Sequence, residues 1–87
     1  MEHEVRNKMR SLADYYMDSV ITSHTANSYW NELYSLYRSL FCMAYDPLYL
    51  IIKAAEELSS ENQDYNRFFS GMNFSCLKRM DLDLYQS

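Results

Sequence analysis

Residues 26–41 place Ala26, Tyr29, Trp30, Leu33, Leu36, Tyr37, Leu40 and Phe41 at the i, i+3, i+4, i+7 spacing of a helix with one buried face. A stripe this long commits the chain to helical packing. One glycine and one proline in 87 residues are too few for the turns of a β-sandwich or barrel. A mass of 10.4 kDa suits one domain over residues 1–87 and not two. Hydrophobic residues at 48 % and charged residues at 23 % mark a chain that folds rather than a disordered one.

The other segments follow the same rule. Val5, Met9, Leu12, Tyr16 and Val20 form an apolar stripe at helical spacing. The β-branched run Val20-Ile21-Thr22 lowers helix propensity and predicts a break around Ser19 to Ser23. Thr22, Ser23 and Thr25 are all candidate N-caps for the second helix. Asp46 before Pro47 is a cap followed by a proline at the first helical position, where its missing N–H costs nothing. Leu48, Ile51, Ile52, Ala55 and Leu58 then give a third stripe, and the polar run 59–64 predicts the exit from that helix. Tyr65, Phe68 and Phe69 are expected to anchor a connection across the core, with at most a short helical turn, ended by Gly71 and Asn73. Ser75 is a candidate cap for a last helix with Leu77, Met80 and Leu84 inward. The expected fold is all-α, a compact four-helix antiparallel bundle.

Charge narrows the function. Twelve Asp and Glu against eight Lys and Arg give a net charge of −4, the wrong sign for a protein that binds DNA or RNA directly. Residues 46–64 hold Asp46, Glu56, Glu57, Glu61 and Asp64 against Lys53 alone. The later acids fall at the C-terminal end of a helix, where the macrodipole disfavours exposed carboxylates by ~0.3–1 kcal/mol each. Glu57 and Glu61 are also like charges at i, i+4. Such a run is what a solvated acidic face looks like, and also what a surface for a cationic partner looks like.

Nine tyrosines are more than so small a core can hold, and Tyr is favoured at interfaces for its large area and polar tip. Tyr34, Tyr45 and Tyr49 fall off the apolar stripes, whereas Trp30 falls on one. Cys42 and Cys76 stand in apolar contexts and are expected as buried free thiols. His3 and His24 sit in no metal-ligand or triad pattern with them, Gly71 forms no phosphate loop, and Glu56 and Glu57 diverge by about 100° on a helix. No enzyme, cofactor or metal is expected. The N-terminus lacks an apolar leader and no apolar run would span a bilayer, so the expected setting is a reducing cytoplasm.

The stretch 11–22 resembles the first helix and turn of the colicin D immunity protein family, through Leu12, Ala13, Ser19, Ile21 and Thr22. Ala54-Ala55-Glu56 with the trailing acids Glu57, Glu61 and Asp64, then Arg67 and Leu77-Lys78, keeps that family's spacing. The resemblance implies a four-helix protein that binds the catalytic domain of a tRNA-cleaving bacterial toxin, in a colicin or a contact-dependent inhibition system. Its acids would cover the basic cleft where the anticodon loop binds. Glu56 and Glu61 match family acids; Ser59 stands where the family has another, with Glu57 and Asp64 as the nearest substitutes. The expected toxin-binding set is Glu56, Glu57, Glu61 and Asp64, with Tyr49 and Tyr65 as aromatic neighbours. The expected partner is a cognate nuclease domain, with no direct nucleic acid and no membrane, and the protein a monomer or small oligomer. The rival readings are a phage-encoded acidic mimic of nucleic acid, of the anti-CRISPR or anti-restriction type, and a structural subunit that self-associates through its tyrosines.

Overall fold

The computed structural model describes residues 1–19 and 22–86. The expectations placed on Val20 and Ile21, and on the Leu84 side chain, lie outside the described residues. Five helices follow one another: α1 (Glu2–Met17), α2 (Ser23–Ser39), α3 (Pro47–Glu61), α4 (Gln63–Phe69) and α5 (Cys76–Gln86). No strand occurs among the described residues.

Local chemistry sets the boundaries. Thr22 is the cap of α2, and it forms a capping box with Thr25, each side chain accepting the other's backbone N–H. Asp46 accepts the Tyr49 N–H at 3.1 Å, with Pro47 in the first turn behind it. Asn62 ends α3 and starts α4, its side chain accepting the Asp64 N–H at 2.8 Å. The residue is extended, so the chain turns between two helices with no intervening loop. Gly71, at φ 86°, supplies the left-handed step after α4.

The core joins Val5, Met9, Ala13 and Tyr16 of α1 to Tyr29, Leu33, Leu36 and Tyr37 of α2. From α3 come Leu48, Ile51, Ala54, Ala55 and Leu58, closed by Phe69, Phe74 and Leu77. The three apolar stripes thus face one another as their spacing predicts.

Two expectations about architecture need correcting. The segment after α3 is a helix of its own, because Asn62 caps it and Phe69 reaches the core. Nor are the neighbours mainly antiparallel throughout, because α1 and α3 run in the same direction. Four pairs rise together along them, each joining residues 51 apart: Glu2 with Lys53, Arg6 with Glu57, Arg10 with Glu61, and Asp14 with Tyr65 at the start of α4. Helix α2 is the crossover that makes this possible. Helix α4 folds back on α3, and α5 is tied to α2 where Tyr34 and Arg38 both bond Asp81.

Cys42 is also a correction: α2 ends at Ser39, so Phe41, Cys42 and Met43 leave the helix and are exposed. Both cysteines are free thiols, Cys76 half-buried. Tyr45 and Tyr49 stand in solvent, and Tyr34 packs on the core edge with its hydroxyl on Asp81 at 2.9 Å. No helix among the described residues is long and apolar enough to cross a membrane.

Candidate functional site

The acids expected to act together are separated by their own chain's cations. Arg6 Nε lies 3.1 Å from Glu57 without the alignment of a hydrogen bond, so that contact is one of charge. Arg10 donates to Glu61 at 3.1 Å. Asp64 meets Arg67 at 3.5 Å along one turn of α4, with both side chains largely in solvent. Glu56 alone of the four has no cationic partner among the described residues. The cost assigned to Glu57 and Glu61 from the α3 macrodipole is offset by the two arginines of α1, so their placement has a structural cause. Tyr65 is held as well, its hydroxyl donating to Asp14 at 2.6 Å. Tyr49 is exposed two turns before Glu56 on the same side of α3, with the Lys53 ammonium 5.9 Å from its ring centre.

Glu56 borders a depression of about 470 Å3 between α3, α4 and the chain beyond α4. Ile52, Ala55, Phe69 and Met72 form its floor, and Ser59, Asn66 and Ser70 are polar groups around it. Met72 is also a wall of a second hollow of about 210 Å3, lined by Tyr16, Ala26, Tyr29, Trp30 and Phe68. Phe68 in turn walls a third depression of about 420 Å3 that holds Met17, Asp18, Asp64 and Arg67. The first and second depressions thus share Met72, and the second and third share Phe68. Glu56 lines the first depression, aromatic rings the second, and Asp18 and Asp64 the third.

Asp18 and Met72 were not singled out from sequence, and Phe68 was expected only as an anchor of a connection across the core. Asp18 carried a signal: an acid at the C-cap of α1 sits on the negative end of a helix, and no cation of the described chain meets it. Met72 carried none, and nothing in the sequence placed Phe68 at a hollow, because α1, α2 and α4 build it jointly.

The tyrosines of the hollow are tuned by their surroundings. The Tyr16 hydroxyl donates to the Glu32 carboxylate, and that bond together with burial pushes its pKa up to about 12. Burial raises the Tyr29 phenol further. A larger trough of about 690 Å3 runs between α1 and α2, lined by Asn7, Lys8, Ser11, Leu12 and Glu32. Its carboxylate is engaged by Tyr16, and its walls offer no convergent set of groups, so we assign no site there. Among the described residues no group of three His, Cys, Asp or Glu side chains is placed to hold a metal ion.

The chain matches no family model, no curated protein and no solved structure.

Proposed function

We propose that this protein is an immunity-type inhibitor that binds and neutralises a cognate toxin nuclease, a tRNase by its resemblance to the colicin D immunity family, through the α4 face. The observation that carries this reading is Glu56, an exposed carboxylate with no cationic partner among the described residues, lining a depression that shares Met72 with the aromatic hollow. A nuclease cleft lined with Lys and Arg for phosphates is complementary to such a carboxylate, and opposite charges speed capture. Asp64 keeps its place in the expected set, because an ion pair between two largely exposed side chains holds it weakly and yields to a better-placed cation. Glu57 and Glu61 act mainly in holding α1 on α3.

The acidic mimic of nucleic acid is less well supported. A mimic needs a run of uncompensated charge, and here three of the four expected acids face arginines.

The test is whether a toxin C-terminal domain is encoded immediately upstream of this gene and binds this protein, read by calorimetry and by growth protection. Glu56→Lys is expected to weaken binding by ~2–5 kcal/mol and abolish protection. Glu57→Gln and Glu61→Gln are expected to bind within about three-fold of the parent when folded. Tight binding by Glu56→Lys, or no affinity for that domain, would overturn the proposal.

A further inference from the structure

We propose that the connection between α2 and α3 is the contact face of a homodimer, with a second copy of this chain as its occupant. Four side chains carry it. Phe41, Met43 and Tyr45 lie in the connection and Tyr49 in the first turn of α3, and they are 44, 54, 106 and 57 % exposed. Side chains of this size cover ~150–250 Å2 each, so the four leave roughly 500 Å2 in water between residues 41 and 49. The largest apolar patch on a monomer is ~300–600 Å2 and is often an interaction site. One side of a standard interface buries about 800 Å2, of which ~56–65 % is apolar. The patch supplies the apolar share of one side of a dimer contact.

The backbone of the patch is set before contact. The Leu40 carbonyl accepts the N–H groups of both Met43 and Ala44, at 3.0 and 2.9 Å, which closes residues 40–44 into one turn. Leu40 itself is buried and anchors that turn to the core. The Phe41 ring packs edge to face on buried Tyr37, with ring centres 5.0 Å apart, and the Arg38 guanidinium lies over it. Association through a turn held in this way orders little new backbone, which lowers its entropic cost.

Charge selects a second copy over a charged partner. In a two-fold contact each surface meets its own twin, so an unpaired charge near the axis faces a like charge. Asp46 is the only charged residue among 39–52, and its carboxylate is turned onto the N-terminus of α3 at the Tyr49 N–H. Arg38 and Lys53 flank this stretch and are neutralised within the chain by Asp81 and Glu2. Two copies of a chain with a net charge of −4 therefore meet here without setting like charges against each other. Homodimer contacts are also the more apolar kind, as this stretch is.

The test is sedimentation velocity of the purified protein from about 1 to about 500 μM at neutral pH. Reducing conditions keep the exposed Cys42 from forming a disulfide. A monomer–dimer equilibrium with a Kd on the order of 10–100 μM is expected. Tyr45→Lys and Met43→Lys each set like charges across the contact and should weaken the dimer at least about ten-fold, with helical circular dichroism unchanged. Both changes lower the overall negative charge, so a loss of dimer is local and not general repulsion. Tyr15→Lys makes the same change of charge at an exposed tyrosine of α1 and should leave the dimer intact. A parent that stays monomeric throughout, or assembles beyond a dimer, overturns the proposal. A dimer that survives the two patch variants, or is lost equally in Tyr15→Lys, overturns its location. None of the four patch side chains lines a depression of the α4 face, so these outcomes are separate from toxin binding through Glu56.

Discussion

Arg10 of α1 donates to Glu61 of α3 at 3.1 Å, and the residues one helical turn earlier, Arg6 and Glu57, meet at the same distance. This ladder needs the two helices to run in the same direction. It makes the i, i+4 carboxylates of α3 a match for the i, i+4 guanidiniums of α1. Repulsion within each helix is thereby traded for attraction between them.

Reversing one rung tests this. Arg10→Glu sets two carboxylates facing each other and should destabilise the protein by about 1 kcal/mol, with Arg10→Glu/Glu61→Arg recovering at least half. Thermal melts read the effect, since ~1 kcal/mol moves the midpoint by ~4–8 °C in a domain of this size. Additive single and double variants would remove the rung from the account of the fold.

Leu58 is fully buried in the middle of the third stripe. Leu58→Ala should cost ~2–5 kcal/mol, a large share of a total of ~5–15 kcal/mol. Urea denaturation should show a lower midpoint with an unchanged slope.

Asn62 terminates one helix and caps the next. Asn62→Ala removes the acceptor for the Asp64 N–H and should cost ~1 kcal/mol. Because α4 carries both Asp64 and Phe68, amide exchange at 63–69 should rise and partner affinity should fall together. Faster exchange with full affinity would show that α4 does not shape the contact face.

Alkali should unfold the protein through its tyrosines. The Tyr16 phenol is raised from 10.0 to about 12 by the Glu32 bond and burial, and Tyr29, Tyr34, Tyr37 and Tyr65 are raised as well. The native chain therefore holds protons that the unfolded chain releases. The stabilisation is complete below about pH 10 and is lost as the pH rises through the native values. Tyrosinate absorbance should lag behind that of free tyrosine and then rise together with the loss of helical circular dichroism. Independent titration of all nine phenols near 10.0 in a chain that stays helical would contradict this.

The helices were legible because their signals are local. Asp46-Pro47 marks the start of α3, and the stripes through Leu33, Ile51 and Leu77 fall in the core. Thr22 could not be chosen over Ser23 or Thr25 from sequence, because the capping box depends on a reciprocal bond that only the geometry selects. Helix α4 was hidden by the polar run before it. The ladder left a trace that local reading passes over. Glu2, Arg6 and Arg10 on α1 are the charge complement of Lys53, Glu57 and Glu61 on α3, at the same spacing. Judged on α3 alone, its acids look like unspent charge. The aromatic hollow left no trace, since a wall shared among three helices has no period in any of them.

The shared direction of α1 and α3 has a consequence for how the molecule assembles. A hairpin of two neighbouring helices can form as soon as both exist, but α1 finds its charged counterpart only once the third helix has been synthesised. Closing that span carries an entropic cost that grows slowly with length, and the buried stripes repay it only when all three helices meet. Until then Val5, Met9 and Ala13 lack the α3 part of their cover, so a chain stalled before α3 is complete would expose an apolar helix to chaperones or proteases.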